Sequence, residues 1–118
     1  MLNLQGKVAF IAGAGSVGEG WGNGKATAVL MARQGAQVFG LDMSADALAS
    51  TTEILKSEGL AGHWHAVTCN MTNSQDVEAA VSSCVERFGR IDILVNNVGG
   101  SAQGDPVSMS EEIWYQQL

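Results

Sequence analysis

The sequence has 118 residues, of which 46% are hydrophobic, and a formal net charge of −6. This length suffices for one small domain with a single core, and the acidic balance argues against nucleic acid or an anionic membrane as a partner. No apolar stretch is long enough to span a membrane and the N-terminus lacks a secretory signal pattern, so we expect a cytoplasmic protein. Cys69 and Cys84 have no metal-ligand spacing; we expect two reduced thiols and no metal site.

Predicted strands and helices alternate along the chain from residue 7. Continuous apolar runs predict parallel strands over residues 7–13, 36–42, 63–70 and 91–97. Helical periodicity predicts helices over 22–34, 45–59 and 73–89, and a fourth helix that begins near 108. Thr72 and Gln75 have the spacing of a capping box at the third helix. The order βαβαβαβα predicts a doubly wound parallel α/β sheet of the Rossmann type, in one domain over residues 1–118 that stops within the fourth helix.

The junction between the first strand and the first helix is unusually rich in glycine. It reads "GAGSVGEGWGNG" over residues 13–24. A helix that began at Gly18 would carry three glycines in its first two turns, each costing about 0.8–1.0 kcal/mol relative to alanine. We therefore predict a long loop and a helix that begins near Gly22. Such a loop lets the backbone approach a ligand closely, and at this position of a doubly wound sheet the ligand is a dinucleotide pyrophosphate.

The second predicted strand ends at Asp42, 18 residues after Gly24. A carboxylate at this position bonds the ribose hydroxyls of a dinucleotide and repels a 2′-phosphate. No Arg or Lys follows in "DMSAD". The pattern therefore favours NAD over NADP as the cofactor.

Taken together, these motifs resemble those of the short-chain dehydrogenases/reductases. Gly13, Gly22 and Gly24 match the family's T-G-x-x-x-G-x-G, with a five-residue insertion within Val17–Trp21. "CNMT" over 69–72 is similar to the family's segment after strand three, and "NNVG" over 96–99 to its N-N-A-G. The resemblance covers essentially the whole chain. It implies these cofactor-binding residues: Gly13, Gly15, Ser16, Gly22, Asn23, Gly24, Asp42, Met43, Asn70, Met71, Asn97, Val98 and Gly99.

The resemblance also assigns roles to the residues after strands three and four. Asn70 would accept a hydrogen bond from the adenine amino group, and Met71 would contact adenine through its backbone. Asn97, Val98 and Gly99 would pass along the adenosine ribose, whereas Asn96 would steady the sheet.

The resemblance implies hydride transfer between a nicotinamide dinucleotide and an alcohol or ketone, with a 3-oxoacyl compound as one candidate substrate. The family's acid–base motif is Y-x-x-x-K. Tyr115 is followed by "QQL" and has no lysine at the fourth position. We therefore assign no catalytic residue in this chain and expect it, by itself, to be the inactive NAD-binding half of such an enzyme.

Two other functions are compatible with parts of the pattern. A short module could bind NAD, or a partner, without catalysis. A methyltransferase also uses a glycine loop and an acid after strand two, but "NNVG" argues against that class. If strand four lies at an open sheet edge, residues 91–97 are a potential site of self-association.

Overall fold

The computed structural model describes residues 3–15 and 22–97, which form a parallel sheet with helices on both faces. Its strands are β1 (Val8–Ala12), β2 (Gln37–Asp42), β3 (Trp64–Thr68) and β4 (Ile93–Asn96). Its helices are α1 (Asn23–Arg33), α2 (Ala45–Ser57) and α3 (Ser74–Phe88), and a 3-10 turn at Ala61–His63 precedes β3. The predicted alternation is confirmed over these residues. The predicted loop at 98–107 and the fourth helix lie outside them.

The strand order is β3-β2-β1-β4, and all three strand pairs are parallel. The chain moves outward from β1 through β2 to β3, then returns to the other side of β1 to form β4. This reversal creates a topological switch point between β1 and β4. In open α/β sheets, ligands bind beyond the carboxyl ends of the strands at such a point. The predicted Rossmann-type sheet is therefore confirmed.

Two apolar clusters hold the helices against the sheet, one on each face. The first joins α1 and α2 to side chains such as Ile11 and Val38, and the second joins α3 to Phe10 and Phe39. Because successive side chains of a strand point to opposite faces, β1 supplies both clusters. All five of its residues are buried, which explains its uninterrupted apolar sequence.

The first helix begins where the glycine pattern predicts. Gly22 is the N-cap of α1 and Asn23 is its first helical residue, so the predicted helix start near Gly22 is confirmed. The helix ends at Arg33. Gly35 then adopts a φ of 98°, a left-handed conformation that lets the chain turn sharply into β2.

The capping box predicted at the third helix is wrong. Asn73 is the N-cap of α3, and its side-chain oxygen accepts hydrogen bonds from the backbone N–H groups of Gln75 and Asp76. The Thr72 hydroxyl donates instead to Oδ1 of Asn70, at 2.6 Å. The sequence offered two adjacent polar residues that could cap, and the turn after β3 decided between them.

Two apolar residues of α3 face outward. Ala80 and Cys84 are buried, but Val81 and Val85 are 37% and 44% exposed. On β4, Leu94 is 70% exposed, and it pairs in register with Phe10. Leu94 thus projects from the sheet face that carries α3, at the outer strand of the sheet that the structure describes.

Both cysteines are buried and neither forms a disulfide, as predicted. Burial raises the pKa of the Cys84 thiol. Burial and the nearby carboxylate of Asp76 raise the pKa of the Cys69 thiol. The thiolate is the reactive form of cysteine, and a raised pKa keeps both groups protonated. Both thiols therefore behave as apolar core groups.

None of the helices within residues 3–15 and 22–97 is both long and apolar enough to cross a bilayer.

Candidate functional site

The carboxyl end of β1 turns sharply into the glycine loop. Gly13 has a φ of 84°, which a residue with a side chain rarely adopts. The N–H groups of Gly13 and Ala14 both donate to the carbonyl oxygen of Leu41, at 2.8 and 2.9 Å. The next N–H, that of Gly15, donates to Oδ2 of Asp42 at 3.1 Å. The loop is thus held against the end of β2 by three consecutive backbone amides.

Gly24 packs the start of α1 directly against this turn. A Cβ added to Gly24 would lie 1.6 Å from the carbonyl oxygen of Gly13 and 3.0 Å from Nδ2 of Asn97. Only glycine permits this close approach of helix and strand. Gly13, Gly24 and Asn97, which come from three separate segments, therefore meet at the switch point between β1 and β4.

The N-terminus of α1 has the electrostatic character of an anion-binding site. Its N-cap is a glycine, which contributes no capping side chain, and its first turn contains no acidic residue. In contrast, the first turns of α2 and α3 contain Asp46 and Asp76, and side chains cap both helices. The backbone N–H groups and the positive end of the dipole of α1 are suited to a phosphate group. The residues present therefore fit a dinucleotide pyrophosphate.

Asp42 lies at the end of β2, beside the glycine loop, as predicted. Its Oδ1 accepts a hydrogen bond from the N–H of Ser44 at 3.0 Å, while Oδ2 accepts from Gly15. These two bonds fix the orientation of the carboxylate. Met43 follows with 59% of its surface exposed, so its side chain is available to cover a ligand at this edge.

Asn70 and Met71 form the turn that follows β3. Oδ1 of Asn70 accepts from both the backbone N–H and the hydroxyl of Thr72, at 3.0 and 2.6 Å. This oxygen, which was predicted to bind adenine, thus already stabilises its own turn. Met71 packs against the cluster beneath α3. The turn lies beside Asp42, because the N–H of Cys69 donates to the Asp42 carbonyl oxygen at 2.9 Å.

The predicted binding residues within the described chain follow one edge of the sheet. From β3 to β4 the order is Asn70, Asp42, Gly13 and Asn97, each at or just after the carboxyl end of its strand. At about 4.8 Å between neighbouring strands, this edge spans roughly 14 Å. Ser16, Val98 and Gly99 lie outside the described residues, as does the predicted insertion within Val17–Trp21.

Helix α2 forms a support behind the glycine loop that the sequence pattern did not predict. The hydroxyl of Thr51, which is fully buried, donates to the carbonyl oxygen of Ala14 at 3.0 Å. A Cβ on Gly15 would lie 2.5 Å from Cβ of Ala47. Nζ of Lys25 in α1 donates to the Ser50 hydroxyl in α2 at 2.8 Å, and Lys25 is only 4% exposed. These residues carry no motif, so only their positions in the fold reveal them.

Two shallow clefts flank the outer strand β3, away from the glycine turn. One, of about 300 Å³, lies between α2 and β3 and includes Leu48 and Ala66. The other, of about 240 Å³, lies between α3 and β3 and includes Val67 and Ala80. None of the predicted cofactor-binding residues lines either cleft. The strand-end arrangement is therefore the better candidate site, because it combines backbone donors with an oriented carboxylate.

Among residues 3–15 and 22–97, no cluster of three or more His, Cys, Asp or Glu side chains could hold a metal ion. The candidate site is built from backbone amides, one carboxylate and two asparagines.

Fold and site together define a nucleotide-binding α/β protein. The sequence model of the short chain dehydrogenase family matches residues 7–118. The chain is 39% identical over 113 residues to the 3-oxoacyl-acyl-carrier-protein reductase FabG of Thermotoga maritima, covering 96% of this chain and 43% of the relative. The chain therefore belongs to the short-chain dehydrogenase family, whose members are oxidoreductases that use nicotinamide cofactors.

Solved structures agree with this assignment. A candidate short-chain dehydrogenase/reductase from Burkholderia xenovorans superposes with a TM-score of 0.89 at 44% identity, over 97% of this chain and 44% of that one. A variant of actinorhodin polyketide ketoreductase, solved with NADPH, gives 0.81 at 29% identity, over 99% of this chain and 42% of that one. The chain thus spans less than half the length of these relatives.

Proposed function

We propose that this chain is the NAD-binding part of a short-chain oxidoreductase that transfers a hydride between NAD and an alcohol or ketone. The observation that carries the proposal is the convergence of Gly13, Gly24 and Asn97 at the switch point, next to a helix N-terminus that has no acidic first turn. In this proposal residues 1–118 belong to a single Rossmann domain. The bound dinucleotide would supply the hydride donor or acceptor at its nicotinamide ring.

Each part of the sheet edge has a role in this proposal. The N–H groups at the start of α1, together with Ser16, Gly22 and Asn23, bind the pyrophosphate. Asp42 accepts hydrogen bonds from the adenosine ribose, and Met43 covers the adenine. Asn70 and Met71 border the adenine, whereas Asn97, Val98 and Gly99 follow the ribose. For Asn70 this requires the Thr72 bonds to Oδ1 to be shared or replaced when adenine binds.

The preference for NAD over NADP rests on Asp42. Its carboxylate is held in place by Gly15 and Ser44, and a 2′-phosphate near it would meet a fixed negative charge. One similar protein was solved with NADPH, so the preference for NAD must be measured on this chain.

Isothermal titration of the purified protein with NAD tests the proposed function. We expect saturable binding of one NAD per chain and weaker binding of NADP. S-adenosylmethionine serves as the control ligand, because a methyltransferase would bind it instead. Binding of neither dinucleotide at millimolar concentration would contradict the proposal.

The reaction and its substrate are the finer part of the proposal. A 3-oxoacyl thioester is one candidate, since the Thermotoga maritima relative is a 3-oxoacyl-acyl-carrier-protein reductase. Within residues 1–118 no tyrosine has a lysine four positions later. We therefore propose that residues 1–118 supply cofactor binding and not the family's acid–base pair. The proposed location is the cytoplasm, with neither nucleic acid nor a membrane as a partner.

Self-association through residues 91–97 is a separate proposal, supported by the 70% exposure of Leu94 on an outer strand of the described sheet. Replacing Leu94 with lysine should shift the chain towards the monomer, because charged side chains on edge strands oppose pairing between sheets. Size-exclusion chromatography with light scattering would measure this shift. Glu86→Lys, at an exposed position of α3, serves as the charge control. A wild-type chain that is already a stable monomer would exclude the proposal.

A further inference from the structure

Helix α2 supports the glycine loop through a buried side-chain hydrogen bond. Thr51 lies in the middle of α2, has no exposed surface, and donates its hydroxyl hydrogen to the carbonyl oxygen of Ala14 at 3.0 Å. Ala14 is also fully buried. A buried carbonyl without a partner is costly, so this hydrogen bond favours one particular conformation of the loop.

The neighbouring contacts act on the same two loop residues. The Ala14 N–H donates to Leu41, the Gly15 N–H donates to Asp42, and Ala47 of α2 lies directly against Gly15. Ala14 is thus held through its N–H by β2 and through its carbonyl by α2. The peptide group between Ala14 and Gly15 is fixed at both of its polar atoms, since its oxygen binds Thr51 and its nitrogen binds Asp42.

We propose that Thr51 is a positioning residue for dinucleotide binding, which holds the Ala14–Gly15 peptide so that the Gly15 N–H orients the carboxylate of Asp42. This inference rests on the proposed function of NAD binding. Thr51 does not touch the cofactor. It acts by raising the fraction of protein molecules whose loop and Asp42 already have the binding conformation, and apparent affinity scales with that fraction.

The test compares three variants. Thr51→Val has nearly the same shape but no hydroxyl. Thr51→Ser keeps the hydroxyl and loses a methyl group. Thr52→Val is the matched control on the same helix, because the Thr52 hydroxyl accepts from Trp64 Nε1 at 2.9 Å and has no bond to the loop. Titration with NAD gives the dissociation constant, and hydrogen exchange gives the protection of the Gly15 amide.

We expect Thr51→Val to weaken NAD binding by about five- to thirtyfold, the effect of one unmade buried hydrogen bond, and to speed exchange at Gly15. Thr51→Ser should bind NAD like the wild type, even if the lost methyl group lowers its unfolding midpoint. Thr52→Val should also lower the midpoint while leaving NAD affinity and Gly15 exchange unchanged. This separates positioning of the loop from a general loss of stability.

Wild-type affinity in Thr51→Val, or equal weakening in Thr51→Val and Thr52→Val, would overturn the inference. If the wild type binds no NAD, the proposed function fails, and the exchange measurement still decides the positioning of the loop. Faster Gly15 exchange only in Thr51→Val then supports that role, and unchanged exchange overturns it.

Discussion

Replacing Gly24 with alanine is expected to abolish measurable NAD binding and to lower the free energy of unfolding by about 2–4 kcal/mol. The added methyl group would lie 1.6 Å from the carbonyl oxygen of Gly13. Because that oxygen belongs to the backbone, the overlap can be relieved only if α1 moves away from β1. This movement would also separate the helix N-terminus from the turn with which it forms the site.

The helix propensity of alanine works in the opposite direction. Alanine is favoured over glycine by about 1 kcal/mol inside a helix, so a position with free space would be stabilised by the same change. Gly62→Ala, in the 3-10 turn before β3, is the control for free space, because no atom beyond its chain neighbours lies within 4 Å of its added Cβ. Urea unfolding and NAD titration of both variants test the prediction. A Gly24→Ala variant as stable as the wild type would show that the close packing of helix and strand is not required.

Replacing Asp42 with serine is expected to lower the ratio of NAD to NADP affinity by about 10- to 100-fold. A hydrogen bond to a charged group contributes about 1.5–3 kcal/mol, and each 1.4 kcal/mol is tenfold in affinity. The variant loses the carboxylate bonds to the ribose and also the repulsion of a 2′-phosphate. Both effects change the ratio in the same direction.

Asp42 also accepts the Gly15 N–H, so part of the loss acts through the loop. That part weakens NAD and NADP alike, and only the ratio of the two affinities reports on the ribose. Asp46→Ser removes the same charge four residues away, at an exposed position, and should leave the ratio within about twofold. The prediction is wrong if Asp42→Ser weakens both cofactors equally.

Local sequence patterns were sufficient to predict the strand and helix order, the start of α1 after the glycine-rich segment and the carboxylate at the end of β2. Each depends on chemistry that is visible within a few residues. β1 is uniformly apolar because it is buried on both faces, and α1 begins after Gly22 because glycines disfavour an earlier start. The cap of α3 was predicted one residue too early, since Thr72 and Asn73 can both cap and a contact with Asn70 decides between them.

The support behind the site depends on the tertiary structure alone. Thr51 lies 37 residues from Ala14, and no spacing rule connects a threonine in the middle of a helix to a loop carbonyl. The same holds for the approach of Asn97 to Gly24, because Asn97 is distant in the sequence and reaches Gly24 only through the pairing of β4 with β1 in the parallel sheet. The sequence by itself predicted which residues could bind a dinucleotide. Only the packing of α1 and α2 against β1 and β2 decided which of them are held in place, because burial and distance are properties of the folded chain.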